Sequence, residues 1–357
     1  MVVDKPKLRV LHVTEAYGGG VATALTQYAK HESFQSSLLL RIRESNHTDS
    51  PFPSQVRVTY VDSLLAFVVQ WFKHRKLKFD VIHVHSTIAG LVVRLFPHRT
   101  ASIAYSPHAF AFTGHKSGIV RYLARVVEQA LTSRTAAGGA VSQDEANIFT
   151  ELGLSKEKVI VIPHHLEISK RKPQKPIDLR ILSIGRLSHQ KNPETLKLFK
   201  ECLDSFGVYA SWTWVGAGDE EYSNMLKDAG VTVTGWLGID EVRKLLANST
   251  FLFHPARYEG LPMAVLESLA EGIPVLASDI PAHRSIESVV IFKDVGDAAE
   301  LAQKIMSPDS WEILSLKGIE EIRSRFNAQS QNTALNELYR MAVSKGNRVD
   351  FYLSQER

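Results

Sequence analysis

A single cysteine, Cys202, stands in the 357 residues. No internal disulfide can form, and no thiolate cluster is on offer to a metal; Cys202 itself reads as a small buried apolar residue. Long apolar runs are missing as well. The longest, around Leu64 to Phe72, falls far short of the roughly 20 residues that span a bilayer. The first residues lack the basic-then-apolar order of a secretory signal, so a cytoplasmic protein is expected. Charge excess is small, +4 in all. No basic stripe with interleaved aromatics suggests a nucleic-acid surface.

What remains is an ordinary globular composition, 44% apolar and 22% charged, on a chain long enough for two cores. Its charge is unevenly placed. Residues 1–168 hold 19 Lys and Arg against 13 Asp and Glu, hence +6, and the remainder holds 23 against 25, hence −2. The densest piece is the apolar run Leu64 to Phe72 followed by Lys73, Arg75, Lys76 and Lys78. It reads either as a core helix with cations at its C-terminus or as a segment lying on an anionic membrane.

Short apolar runs alternate with helix-like stretches. In the first part, Arg9–Val13, Val81–His85, Ile103–Ser106 and Ala140–Ser142 read as strands. In the second, Leu179–Ile184, Ala210–Val215, Val231–Thr234, Thr250–Phe253, Pro274–Ala277 and Val289–Phe292 do. This alternation predicts an α/β fold of mostly parallel sheets covered on both faces, with ligands beyond the carboxyl ends of the strands. The proline-rich, cationic piece between them, 169–178, reads as a linker. It separates a first domain, 1–168, from a second, 179–334, with 335–357 as a final segment.

The run from Tyr258 to Glu267 carries most of the chemistry. Gly260, Leu261 and Pro262 form a turn that opens a helix, since proline suits a first helical turn. The amides of Met263, Ala264 and Val265 then face outward at the positive end of the helix dipole, a place for a phosphate. Glu259 lies on one side of that phosphate and Glu267, two turns into the helix, on the other. Each has a plain alternative, a charge favourable to the dipole and a solvated helix residue. Two carboxylates that grip hydroxyls on either side of a diphosphate fit a sugar nucleotide. With the strands before it and Gly272-Ile273-Pro274-Val275 after it, this run resembles the retaining glycosyltransferases of glycosyltransferase family 4. Their mark is two glutamates separated by seven residues in this setting.

Gly185-Arg186-Leu187, followed by Lys191-Asn192, resembles the family's second mark. A guanidinium and an ammonium at the end of a strand would compensate a leaving diphosphate. Gly216 and the turn Gly235-Trp236-Leu237 close two further strands; in relatives they form the nucleobase pocket. Gly18-Gly19-Gly20 follows the first strand but lacks the G-x-G-x-x-G spacing of a dinucleotide site. The resemblance assigns Gly19 and Gly20 to a loop near the donor diphosphate. It assigns His108 to the donor hexose, although Ala109 departs from the usual His-Asp or His-Gly pair. His83 and His85 share one strand face without a third ligand nearby and are expected in the core or lining the cleft, with no metal site.

The resemblance implies the GT-B fold, two Rossmann-like doubly wound domains facing across a cleft, and in relatives the last helix returns to the first domain. It also implies transfer of a hexose, with retention, from a nucleoside diphosphate sugar to a glycan or lipid-linked acceptor. A UDP-sugar is the favoured donor, no cofactor or metal is expected, and envelope polysaccharide synthesis is the favoured setting. His108, Arg186, Lys191 and Glu259 are the expected catalytic group. A sugar-nucleotide 2-epimerase, an inactive binding protein and a nicotinamide-dependent oxidoreductase are the alternatives, because a fold alone does not fix function.

Overall fold

The computed structural model describes residues 7–42, 52–113 and 118–344. The chain divides into two compact units, one of Met1–His165 with Ala328–Arg357, the other of Leu166–Asn327.

The first unit is built on seven strands, β1 (Leu8–Tyr17), β2 (Phe34–Ile42), β3 (Arg57–Val61), β4 (Val81–His85), β5 (Ser102–Ser106), β6 (Ala137–Ala140) and β7 (Val159–Val161). All pair in parallel, in the order β3-β2-β1-β4-β5-β6-β7. The connections are α1 (Gly19–Ala29), α2 (Leu64–His74), α3 (Thr87–Leu95), α4 (Gly118–Leu131) and α5 (Gln143–Glu151). Alternate residues of β1 enter two different cores. Leu11 and Val13 pack with Phe67 and Trp71 of α2 and Val93 of α3. Val10 packs with Tyr28 of α1 on the other face. A sheet covered on both faces needs strands that are apolar on both, and β4 is buried along its whole length.

Three of these strands escape the pattern of apolar runs. β2 carries Gln35-Ser36-Ser37 after its first residue, Phe34, and β3 and β7 are short and half-exposed. β6 begins at Ala137, not at Ala140 as expected, because two of its residues are glycines. Both are required by close packing: a Cβ on Gly138 would lie 2.9 Å from Leu154 Cδ2, and one on Gly139 would lie 2.5 Å from Ser106 Oγ.

The second unit carries β8 (Arg180–Ile184), β9 (Ser211–Val215), β10 (Thr232–Val233), β11 (Phe251–His254), β12 (Val275–Ser278) and β13 (Val290–Phe292). Their order, β10-β9-β8-β11-β12-β13, is again doubly wound and parallel. The helices are α6 (Pro193–Ser205), α7 (Glu220–Asp228), α8 (Ile239–Ala247), α9 (Met263–Ala270), α10 (Pro281–Arg284), α11 (Val295–Met306) and α12 (Pro308–Arg325). Strand order reverses between β8 and β11, and ligands of such sheets bind beyond the strand ends at this point. α9 is buried nearly all round. Gly318 of α12 approaches Leu269 so closely that a Cβ there would sit 2.8 Å from Leu269 Cδ2.

Residues 169–178, read from composition as a linker, lie with the second unit. The Ser169 amide donates to the Ala270 carbonyl at 3.0 Å, and Pro173 packs on Gly272, where a Cβ would come within 2.4 Å. The last helix, α13 (Ala328–Val343), lies with the first unit. Leu335, Leu338 and Tyr339 enter the core beside Val10 and Ala104. Gln331 donates to Gln27 Oε1 at 2.8 Å and to the Pro163 carbonyl at 3.0 Å. Of the expected final segment 335–357, the part beyond 344 is outside the described residues.

Candidate functional site

At the carboxyl end of β8 the chain turns at Gly185, with φ 152°. The stem of Lys191 lies across this glycine. A Cβ there would sit 2.8 Å from Lys191 Cε and 3.0 Å from its Cδ, so the glycine is what admits the lysine. Gly216 closes on Gly185 in turn, where a Cβ would strike the Gly185 carbonyl at 2.2 Å. The Gly216 amide donates to the Gly235 carbonyl at 2.9 Å. Gly185, Gly216 and Gly235 therefore form one backbone cluster, with Leu237 partly buried nearby on the apolar core that also holds Leu261 and Met263.

Lys191 is brought opposite the glutamate run by two loops that grip each other. The Arg257 amide donates to the Gln190 carbonyl at 2.8 Å, and Gln190 Nε2 donates to the Tyr258 carbonyl at 3.0 Å. Asn192, at φ 55°, caps α6 and accepts from Arg257 at 2.8 Å. The outcome is an ion pair, Lys191 Nζ to Glu259 Oε1 at 2.6 Å. Arg186 is exposed and has no carboxylate partner among the described residues.

The other side of Lys191 was not foreseen. Its ammonium lies 3.3 Å from His254 Nε2; His254 Nδ1 lies 2.9 Å from His283 Nε2, and His283 Nδ1 lies 2.7 Å from the Ser278 carbonyl. A carbonyl only accepts, so His283 carries its hydrogen on Nδ1 and accepts at Nε2. His254 then donates from Nδ1, which leaves the lone pair of Nε2 facing the ammonium. Burial, with Lys191 and His283 adding to it, holds His254 well below its ordinary range, and burial takes His283 down to about 4. Both rings are neutral and fixed in one tautomer. The available signal was position: His254 ends β11, and His283 lies just past β12, both on the ligand side of the sheet.

Glu267 stands one turn into α9, not two as expected, because the helix begins only at Met263. Burial pushes its carboxyl up to about 7, against the pull of Arg243 on α8 and of Lys191. Arg243 also went unnoticed, since a cation on a helix between two strands has no distinguishing pattern. The start of α9 corrects one expectation. The Val265 amide is not open, for it donates to the Pro262 carbonyl at 3.0 Å. Pro262 caps the helix instead of sitting within it, and the first turn folds back on the Pro262 carbonyl. The amides of Met263 and Ala264 are the ones left facing outward.

The remaining expected residues lie in the first unit. Gly19, at φ 52°, begins α1, and Gly20 follows within its first turn. His108 and Ala109 follow β5 at φ 51° and 90°, a backbone region that favours glycine. The Ala109 amide donates to Glu145 at 2.7 Å. Burial raises the Glu145 carboxyl to about 7. His108 Nε2 meets His85 Nδ1 at 3.0 Å, and His85 Nε2 meets His12 Nδ1 at 3.2 Å. His83 lies alongside, bonded to Ser106 at 2.9 Å and to the Tyr339 hydroxyl at 2.8 Å. One nitrogen on each of His12, His83 and His85 lies within 4.8 Å of the others, a spacing that could hold a metal ion. Each ring is nonetheless engaged with a neighbouring side chain.

Residues 178–307 match the family model of the glycosyl transferases group 1, and residues 39–165 match that of the glycosyl transferase 4-like domain. An uncharacterized 41.2 kDa protein in the cps region of Klebsiella pneumoniae is 23% identical over 82% of this chain and 89% of its own length. The UDP-Gal:α-D-GlcNAc-diphosphoundecaprenol α-1,3-galactosyltransferase of Escherichia coli is 21% identical over 95% of this chain and 98% of its own. Among solved structures, Anabaena HepE in complex with UDP and glucose superposes with a TM-score of 0.72 at 16% identity, over 92% of this chain and 98% of that one. Both halves match glycosyltransferase domains and the fold follows them, so the chain is a glycosyltransferase of the GT-B type.

Proposed function

We propose that the protein transfers a hexose from a nucleoside diphosphate sugar to a hydroxyl of a glycan or lipid-linked acceptor, with retention at the anomeric carbon, in envelope polysaccharide synthesis. A UDP-sugar is the favoured donor, in keeping with the UDP in the Anabaena structure and the UDP-Gal named for the Escherichia coli relative. The observation that carries the reading is Lys191, held between Glu259 and the lone pair of His254 at the switch point of the second sheet.

In this reading a diphosphate draws the ammonium of Lys191 from Glu259, and the carboxylate so freed accepts from hexose hydroxyls. Arg186 and the open amides of Met263 and Ala264 face the same anion. These groups stabilise charge as it builds on the leaving diphosphate, which makes a bound metal unnecessary. Glu267 accepts from the ribose hydroxyls, and the Gly216, Gly235 and Leu237 turns seat the base. The resemblance adds Gly19, Gly20 and His108 near the donor and acceptor. Contact of residues 64–78 with an anionic membrane, at the inner face of the cell membrane, belongs to the same reading.

The test is a screen of UDP-hexoses with undecaprenyl-diphosphate-linked acceptors, following release of UDP. Turnover that survives EDTA and a product of the donor's own anomeric configuration by NMR are expected. An inverted product overturns the retaining assignment. Solvent deuterium appearing in the hexose without acceptor identifies a 2-epimerase instead.

A further inference from the structure

α4 has its apolar stripe on the outside. Its pattern, Ile119, Tyr122, Leu123 and Val126, follows the i, i+3, i+4, i+7 spacing that ordinarily faces a core, yet these side chains are 75%, 68%, 55% and 42% exposed. The helix turns Glu128 and Leu131 inward instead, and Glu128 is paired there with Arg94 at 2.7 Å. Arg121 and Arg125 border the exposed stripe, Arg125 paired with Glu151 of α5 at 3.0 Å. Glu128 is the only acid on this helix, so no carboxylate of α4 lies on its outer face.

The same character continues across the layer. α2 and α3 adjoin through Trp71 Nε1, which donates to the Phe96 carbonyl at 3.0 Å, and through the Phe72 and Phe96 rings, 5.2 Å apart. α3 adjoins α4 through Arg94 and Glu128. On α2, Phe67 and Trp71 are the buried side, while Leu65, Val69 and Phe72 are exposed. Beside them lies a hollow of about 420 Å³, with Val69 and Phe72 on its apolar side and Lys73, Arg75, Lys76 and Arg99 around it. Lys73, Lys76, Arg99 and Arg121 have no ion pair with any of the described residues.

We propose that the outer face of the α2–α3–α4 layer docks on an anionic phospholipid bilayer, with the α4 stripe in the interface and the hollow beside Phe72 holding a lipid phosphate. The occupant follows from what the face offers together: apolar side chains for acyl chains, and in Lys73, Lys76, Arg99 and Arg121 four cations that no carboxylate of the described residues pairs, for phosphates. A second copy of this face would set the cations Lys73, Lys76, Arg99 and Arg121 against like charge. No helix among the described residues is long and apolar enough to cross a membrane, so the contact is peripheral. The inference rests on the membrane contact proposed above for residues 64–78 and extends it to α4; flotation reads it without any measure of sugar transfer, so the two can fail separately.

The test is flotation of the full chain with vesicles of phosphatidylcholine alone and of phosphatidylcholine with phosphatidylglycerol, at low and high salt. Binding to the anionic vesicles that weakens with salt is expected. Ile119→Asp with Val126→Asp should lower the partition by at least about a hundredfold, from lost apolar burial. Lys73→Gln with Lys76→Gln should lower it about thirtyfold on anionic vesicles alone. Thermal unfolding verifies that the variants fold, and Leu123→Gln serves in place of the aspartates if they do not. Failure of the unaltered chain to float, equal binding to both vesicles, or binding untouched by the α4 variants would each overturn the proposal. So would a solution dimer that ignores vesicles and is broken by the α4 variants, which would make this face a contact between copies.

Discussion

Lys191 has its ammonium between a carboxylate and an imidazole lone pair, so its position is set before any ligand arrives. If it and Arg186 act on the leaving diphosphate, Lys191→Ala or Arg186→Ala should lower kcat by two or more orders of magnitude, on the order of 3 kcal/mol. Steady-state kinetics near the unaltered rate would sink that role. His283→Phe leaves the His254 Nδ1 hydrogen without its acceptor and frees the ring to turn a hydrogen toward the ammonium. A loss of about tenfold in kcat/KM is expected, the scale of one buried hydrogen bond to a charged group, with His283→Gln retaining most of the activity. Glu267 accepts hydroxyl hydrogens best when ionised, and its carboxyl sits near 7 because of burial. Donor affinity should therefore rise as pH goes from 6 to 8, and calorimetric titration of Glu267→Gln should show that rise gone. Lys191 and Glu259, singled out through the resemblance as parts of one corner of the second domain, do meet there. The two histidines and Arg243 were not legible in the sequence, since their roles arise from side chains that meet only in three dimensions.

The switch between β1 and β4 holds the column His12, His85 and His108 with His83 beside it. Burial first, and the neighbouring rings second, keep His83 and His85 well below their ordinary value of 6.5, and burial takes His12 and His108 to about 3. A histidine lowered by folding binds fewer protons in the folded than in the unfolded chain. Its stabilising effect is complete above 6.5 and is lost as pH falls through the folded value. Thermal unfolding should thus show the melting temperature falling steeply from pH 6.5 toward 4, and His12→Phe should flatten part of that slope. Glu145 acts oppositely, since a carboxyl raised to about 7 favours the fold below 4.5 and loses that effect as pH climbs to 7; four depressed rings outweigh it. At this scale the strands of the second unit were legible to within one residue, because buried parallel strands are continuous apolar runs. β2, β6 and the outward stripe of α4 were not. Serines and glycines disguise buried strands, and periodicity reports that a helix has an apolar side without reporting what lies against it.

For the whole molecule, α13 is the element that the first unit lacks until the chain is complete. Ending the chain at Asn327 removes Leu335, Leu338 and Tyr339 from that core, each worth roughly 1.5–3 kcal/mol of apolar burial. It also strips His83 of the Tyr339 hydroxyl. Against a typical stability of about 5–15 kcal/mol, such a truncation should leave the amides of β1, β4 and β5 unprotected in hydrogen exchange, while those of β8 and β11 stay protected; unaltered exchange in β4 would refute the dependence. The return of a C-terminal helix came from resemblance, not from residue pattern, for its apolar spacing fits either unit. The Leu166 amide donates to the Phe326 carbonyl at 2.9 Å, so the polypeptide enters and leaves the second unit through neighbouring residues. That unit is in effect a cassette spliced into the first at a single point. The corresponding unit of another transferase could be grafted in its place through two adjacent junctions, without redesigning either core.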